Sequence, residues 1–496
     1  MITERSDNLL KQRLVPLPNK VELRDGEFFH IKNGCTIQLV IPESLESAEN
    51  VFQKDFRQYF RMEANLQREN GGAEIAAEGY RLHVSETVCR IEAGDIAGVR
   101  NALKTIRQLA ETERGVAIFT EYVLIACEID DAPAVPFRGA HICWFPETPA
   151  FEIERQIRMA AYYKYNAIVL EPWGVFPYDS HPDFCWAEKK VPKAEFKRLL
   201  SLAKELGLLM IPQINLYGHA SWSRVSSAKH AILDLHPEYQ SYFEPDGWAW
   251  CLTNPNLRPL LTDLVTELYE FFECPPYFHV GCDEAYNAFS CAACRNVDRD
   301  AVVADHIKYF RDLFAERGAR IMMWHDMLIN RNDPHRDFKG YIAHWSDEES
   351  HLLEKLPQDV IICDWQYGLP LKEGQTDSDW NTSKYFRDCG FDVVVCPWNH
   401  TEGSLSLGRM AAREKLYGYL MTTWHINHGC SFINEYLHGA LAAWTRDYQW
   451  LKGINYVATA DHHIRQINWD MNVTEYVQTG STQYQISIFN TPEVTA

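Results

Sequence analysis

No run of about 18 apolar residues occurs in the sequence, so none of its segments reads as a bilayer-spanning helix. The opening MITERSDNLLKQRLVPLP has no apolar core of signal-peptide length, and the expectation is a cytoplasmic protein. Positive charge is scarce: 48 Lys and Arg stand against 68 Asp and Glu, a formal charge of −20. Nucleic acid and anionic membrane surfaces would be repelled over much of such a molecule, which excludes both and leaves a neutral or cationic small ligand. Internal repeats and low-complexity segments are absent. Of 14 cysteines only Cys291 and Cys294 form a CxxC, and no second CxxC or suitably spaced His pair completes a zinc site. The thiols are expected to be reduced and largely in the core, and neither metal nor cofactor is expected.

What is present points to a large α/β protein. With 496 residues the chain has room for a barrel-sized domain and a smaller companion. Residues 1–130 alternate strand-like runs (35–40, 80–84) with amphipathic helical stretches (45–60, 96–111), as a small N-terminal α/β domain would. The Pro-rich segment 130–136 reads as a junction. From 131 to 445, short apolar strands alternate with amphipathic helices; the strand candidates are 137–143, 167–171, 208–215, 277–282, 320–324, 360–365, 393–397 and 419–424. That is the strand number and order of a (β/α)8 TIM barrel. Helices are expected at 149–163 and 192–206, the second stopped by Gly207, and the run 341–345 is placed in a long loop. Residues 446–496 are expected to form a C-terminal extension packed on the barrel.

Barrel enzymes carry their reactive groups at the C-terminal ends of the strands. Here those ends offer Glu171 and Trp173, then Asn215 and His219, then Asp283 and Glu284, followed by Trp324, His325 and Asp326, Trp365 and Tyr367, Trp398, and Trp424 with His425. Five of the eight ends carry Trp, as the wall of a sugar pocket would. Single members have plainer readings: Arg138 as a barrel-bottom ion pair, His219 as a loop hydrogen-bonder, each Trp as core packing. Asp283 and Glu284 are the sharpest feature. Adjacent carboxylates after an apolar strand repel and lose hydration, which must be compensated or used. Proximity and partial burial would raise the pKa of Glu284, as a general acid requires.

The run His279-Val280-Gly281-Cys282-Asp283-Glu284 carries the pattern H-x-G-x-D-E, and with it the sequence resembles the family-20 glycoside hydrolases, the β-N-acetylhexosaminidases. Phe137-Arg138-Gly139, the run from Gly207 to Pro212 leading into Gly218-His219-Ala220, and the Trp residues ending strands five, six and eight extend the match. Upstream, residues 95–109 are similar to the end of the small domain that precedes the barrel in that family. The resemblance implies a retaining exo-β-N-acetylhexosaminidase in which the substrate's own 2-acetamido group is the nucleophile. It also implies roles. Glu284 would be acid then base; Asp283 would orient the acetamide; Arg138 would hold sugar hydroxyls; Trp324, Trp365 and Trp424 would box the sugar; and Tyr367 would supply a phenol to the acetamide. Glu171, Trp173, His219, Asp326 and Trp398 complete the expected substrate contacts. The eighth-strand turn departs from the family pattern, with Ile426 where many members have an acid; so does the turn at Glu171-Pro172-Trp173-Gly174, and the family's Tyr-x-Asp segment has no clean counterpart, Tyr367 being the candidate for its phenol. The expected partner is a small glycan with a terminal 2-acetamido sugar, and a homodimer is compatible with a barrel of this size. The alternatives are a disaccharide-releasing enzyme, to be decided by the loops of Trp173, Trp186, Trp222 and Trp248, an inactive sugar-binding protein, and a metal-dependent hydrolase using Asp283, Glu284, His279, His325 and Asp326.

Overall fold

The structure, a computed structural model, describes residues 13–112, 121–220, 232–344, 350–424, 433–445 and 456–471. They fall into two compact units. One takes the described residues of 1–134, 162–164 and 440–496; the other takes those of 135–161 and 165–439.

The first unit is built on a seven-stranded sheet of β1 (Lys20–Lys32), β2 (Cys35–Ile41), β3 (Ala64–Asn70), β4 (Tyr80–Val84), β5 (Cys89–Ala93), β6 (Glu111–Thr112) and β7 (Glu121–Asp131), ordered β1-β7-β4-β5-β2-β3 with β6 beside β7. Of its helices, α1 (Ala48–Phe60) buries one apolar face through Phe52, Phe56, Tyr59 and Phe60, while α2 (Ile96–Leu109) is buried at every position from Asn101 to Leu109. The start of α2 is fixed by Asp95, whose carboxylate accepts from the Gly98 amide at 2.7 Å and so satisfies one of the open N–H groups of the first turn.

The second unit is an eight-stranded parallel barrel: β8 (Phe137–Trp144), β9 (Ala167–Pro172), β10 (Leu209–Pro212), β11 (Tyr277–His279), β12 (Arg320–Trp324), β13 (Ile361–Asp364), β14 (Asp392–Val395) and β15 (Gly418–Thr422). β15 pairs with β8, and the ring closes between β10 and β11 through the bridge Gln213–His279. The strands are short and nearly wholly buried, β8 at every position, as expected where both faces of a parallel sheet are covered. Helices α3 (Ala150–Tyr162), α4 (Lys193–Glu205), α6 (Leu257–Phe271), α7 (Arg299–Ala315), α9 (Asn381–Asp388) and α10 (Thr401–Arg413) intervene between strands, with the short α5 (Ile232–Leu235) and α8 (Leu352–Lys355). At the end of α4, Gly207 (φ 82°) donates to the Lys204 carbonyl and Leu208 to that of Ala203, the left-handed stop that a glycine permits without Cβ strain. At the N-terminal mouth Phe137, Tyr277 and Tyr417 fill the barrel with ring centroids 6.1 to 6.4 Å apart. Residues 341–344 are irregular apart from the bridge Asn330–His344.

The described residues near the C-terminus group with the first unit. Residues 440–445 and helix α12 (Tyr456–Asp470), which follows α11 (Ile433–Trp444), belong to the first unit, where Trp444 is part of the hydrophobic core. Trp444 takes part in a buried polar node. The Trp444 indole donates to Asp131 Oδ1 at 2.9 Å, and the other carboxylate oxygen takes Lys164 Nζ at 3.2 Å and the Tyr80 hydroxyl at 2.9 Å. Lys164 and Asp131 are both fully buried, and the ammonium lies 4.7 Å from the Trp444 ring and 4.8 Å from the Tyr80 ring. Removing one partner leaves the other charge buried without compensation, which costs about 3–5 kcal/mol. Lys164→Met and Asp131→Asn are each expected to lower the urea midpoint strongly, while the double variant loses less than the sum. Additive losses would show that the two charges are not coupled.

Candidate active site

The chain leaves β11 in a sharply bent path. Gly281 (φ 63°), Cys282 (φ 71°) and Glu284 (φ 49°) all take left-handed conformations, which turn Asp283 and Glu284 out of the strand direction at the C-terminal mouth. Only a glycine fits at 281, because a Cβ there would lie 1.7 Å from Asn215 Oδ1. Gly218 is needed for a similar reason: its Cβ would stand 1.9 Å from the Asp283 carbonyl oxygen. His219 (φ 54°) and Trp424 (φ 44°) are left-handed as well. Left-handed non-glycine residues are rare and cost on the order of 1–3 kcal/mol each, so a group of four at one barrel mouth marks a functional site.

The side chains so placed form a crowded acidic centre. Asp283 is buried, while Glu284 keeps 23% of its side-chain surface. His219 Nε2 lies between them, 3.3 Å from Asp283 Oδ2 and 3.2 Å from Glu284 Oε2. A third carboxyl, Asp326, is buried next to them; its Oδ2 accepts from the Glu284 amide at 2.9 Å and its Oδ1 from the Trp365 indole at 3.3 Å. Burial, followed by the charge of Asp283, pushes the Asp326 pKa well above the usual carboxylate range. Burial and the charges of Asp283 and Glu284 likewise push the Tyr367 phenol well above its usual value, so it stays a hydrogen-bond donor. The Tyr286 hydroxyl reaches Glu284 Oε1 at 3.4 Å, and the Trp248 indole donates to the Glu284 carbonyl.

Aromatic groups close around this centre. The Trp424 ring lies 5.3 Å from Trp324, 6.4 Å from Trp365 and 6.5 Å from Tyr367, and Trp398 sits 5.3 Å from Tyr367. Trp324 is fully buried as a floor, and its indole N–H has no acceptor among the described residues. It rests on His279 at 4.3 Å and His141 at 5.3 Å. Burial pulls the His279 pKa well below the ordinary imidazole value, so this support is uncharged. On another side Trp173 and Trp248 flank the His219 ring at 5.9 and 4.5 Å.

Glu171 ends β9 in a second buried group, with Oε1 accepting from Asn215 at 2.9 Å and Oε2 lying 3.4 Å from both His141 Nε2 and the Cys143 thiol. His141, Cys143 and Glu171 have the spacing of metal ligands, as do Glu244, Cys251, Cys291 and Cys294. The second set corrects the expectation of an incomplete site, since the fold brings Cys251 and Glu244 to the CxxC. His325 is directed away from the acidic centre, with Nε2 at 2.8 Å from the Ile342 carbonyl and Nδ1 accepting from the Trp365 amide.

Arg138 is the clear correction. It stands at the start of β8, six positions before Trp144, and at about 3.3 Å per residue that is the opposite end of the barrel. Its guanidinium donates to the Val135 and Pro136 carbonyls, both at 2.9 Å, and it does not join the acidic centre. Trp222, His425 and Ile426 lie outside the described residues. His141 was overlooked by sequence reasoning, although it stands two positions before Cys143 on one face of an apolar strand. The contact of Trp248 with Glu284 had no sequence signal, because it bridges two loops.

A raised folded pKa gives stability that is present below the unfolded value near 4 and lost as pH rises through the folded value. Asp326→Asn cannot accept from both neighbours, so the variant is expected to be less stable than wild type in acid. The gap, read from thermal midpoints, should shrink as the pH is raised from about 4, and a widening gap would mean that Asp326 is held as a carboxylate.

With this geometry in place, the chain can be set beside known proteins. Residues 11–132 match domain 2 of glycosyl hydrolase family 20, and residues 189–425 match its catalytic domain. A β-hexosaminidase of Akkermansia muciniphila is 26% identical over 358 residues, covering 64% of this chain and 69% of the relative. One of Vibrio furnissii is 23% identical over 447 residues, covering 78% and 63%, and bovine hexosaminidase D is 29% identical over 217 residues, covering 42% and 55%. The chain thus spans between about half and two thirds of the length of these relatives. Among solved structures, the exo-β-N-acetylglucosaminidase of Vibrio harveyi superimposes with a TM-score of 0.69 at 17% identity, covering 93% of this chain and 78% of that one. The β-hexosaminidase of Streptomyces plicatus gives 0.61 at 15%, covering 97% and 95%. The two domain matches, in the order and at the places where the sheet unit and the barrel stand, show that the chain belongs to glycoside hydrolase family 20.

Proposed function

We propose that the protein is a retaining exo-β-N-acetylhexosaminidase that removes terminal β-linked N-acetylglucosamine or N-acetylgalactosamine from small glycans by substrate-assisted catalysis. The observation that carries this reading is the unequal pair at the barrel mouth: buried Asp283 and partly exposed Glu284, joined through His219 and faced by aromatic rings. The β-hexosaminidase names of the relatives point the same way.

In this mechanism the acetamide carbonyl attacks the anomeric carbon, and no enzyme carboxylate becomes the nucleophile. Glu284 protonates the departing oxygen and then takes a proton from the incoming water, which its partial exposure allows. Asp283 accepts from the acetamide N–H and balances the positive charge that develops there. His219 fixes the relative position of the two carboxyls, and Asp326 holds the Glu284 backbone. Tyr367, kept protonated, donates to the acetamide oxygen, while Trp324, Trp365 and Trp424 form the floor and walls for the methyl group and the sugar face. Glu171, Trp173 and Trp398 contact the remainder of the terminal sugar. Trp173 and Trp248, packed on His219, favour a pocket for one sugar over a cleft for two.

A panel of nitrophenyl glycosides tests the reaction. Turnover is expected for β-N-acetylglucosaminide and β-N-acetylgalactosaminide and not for plain β-glucoside or β-galactoside, whose turnover at comparable rates would refute substrate assistance. Glu284→Gln is expected to cost about 10²–10⁴-fold in kcat on a natural disaccharide and much less on a good leaving group. Asp283→Asn is expected to cost about 10²–10³-fold on both. Wild-type rates for Glu284→Gln on the disaccharide would remove Glu284 from the acid role.

A further inference from the structure

Behind the loop that carries Asp283 and Glu284, a second cluster serves no step of the reaction above. Cys251 Sγ lies 3.8 Å from Cys291 Sγ and 3.5 Å from Cys294 Sγ, and the ligand atoms of Glu244, Cys251, Cys291 and Cys294 all fall within 4.8 Å of one another. Four tetrahedral ligands with metal–sulfur bonds of about 2.3 Å would place their sulfurs about 3.8 Å apart. A disulfide would need about 2.05 Å. Cys251, Cys294 and Glu244 are buried, and Cys291 is partly open. Three thiols and a carboxyl collected at one buried point are costly as a bare group and favourable around a cation.

The surroundings are those of ligands held for a metal. One oxygen of Glu244 accepts from the Cys291 amide at 2.8 Å and from the Ser290 hydroxyl at 3.2 Å, which orients the carboxyl toward the sulfurs. The Thr253 hydroxyl stands 3.1 Å from Cys294 Sγ, placed to donate to a thiolate. Cys291 and Cys294 are joined by a turn in which the amides of Cys294 and Arg295 both donate to the Cys291 carbonyl.

We propose that Glu244, Cys251, Cys291 and Cys294 form a structural zinc site. Three sulfur ligands and one oxygen in a closed tetrahedron suit Zn²⁺ above the harder divalent ions. The site joins two segments. The first is the hairpin-like turn closed by the bridge between Phe243 and Trp250, which carries Trp248 to the Glu284 carbonyl; the second is the stretch that runs from Asp283-Glu284 to the CxxC. The metal would therefore tie one wall of the sugar pocket to the catalytic loop without touching substrate.

Metal analysis of the reduced protein, purified without chelator, is expected to give about one zinc per chain, released by an organomercurial thiol reagent. Cobalt replacement should give the intense d–d bands of a tetrahedral ion and a thiolate charge-transfer band. Cys251→Ser and Cys294→Ser should each lower bound zinc at least tenfold, and Cys143→Ser, in the separate group around Glu171, should keep it. If a variant does not fold, mercurial release and the cobalt spectrum of the wild-type chain decide alone. The proposal is overturned by a chain that holds no zinc and takes up none on reconstitution, by a Cys251–Cys294 disulfide, or by zinc lost in Cys143→Ser and kept in Cys251→Ser.

Discussion

Crowding of carboxyl groups at one barrel mouth governs the architecture around the site. Asp283, Glu284 and Asp326 come from two adjacent strand ends, and two of the three are buried. Like charges this close cannot all ionise without compensation, and the cleft supplies it in graded form. Asp326 is driven toward its neutral acid, His219 is shared between the other two, and the Trp365 indole and a backbone amide serve Asp326. Burial, with the same negative field added, keeps the Tyr367 phenol protonated. Burial and charge together thus hold a neutral carboxyl and a neutral phenol beside the pair within one small volume.

Backbone geometry makes that crowding attainable. An extended strand would send Asp283 and Glu284 to opposite faces, since side chains alternate. The left-handed turns at Gly281, Cys282 and Glu284 break the alternation, and the close passage of Gly218 against the Asp283 carbonyl locks the bend. The strain is offset by a rigid base: Trp324 is fully buried on two imidazoles, His279 and His141, and also belongs to the barrel core. A floor that is itself core cannot shift without disturbing the barrel, so the pocket is pre-shaped.

Much of this was legible in the sequence. The alternation of short apolar runs with amphipathic helices located all eight strands, because a parallel barrel buries both faces of each strand and writes nearly continuous hydrophobic stretches. The adjacent acids at 283 and 284 were legible because water-seeking groups have no structural reason to follow such a stretch. The misplacement of Arg138 has a simple cause. A motif at the beginning of a strand was credited with the chemistry of its end, about 20 Å away at 3.3 Å per residue. His141 was hidden because a lone imidazole in an apolar run looks like a core residue. The union of Cys251 and Glu244 with the CxxC depends on a loop path that no periodicity encodes.

Placing Arg138 at the far mouth changes how sugar recognition must work. A guanidinium donates only, and would have read hydroxyl oxygens through a fixed fork. The groups gathered at the near mouth beside the acids are Glu171, Asn215 and His141, linked to one another through the two oxygens of the Glu171 carboxylate. A carboxylate accepts only, so on the proposed function it would meet hydroxyl hydrogens, and its two oxygens are already oriented by protein groups. A hydroxyl presented there would act as the donor, which a free sugar hydroxyl does at little cost and an anionic substituent cannot do at all. On the function proposed above, such a mouth would suit an uncharged 2-acetamido sugar, and its epimers would differ in where a single hydroxyl points relative to Glu171 and the rings of Trp173 and Trp424.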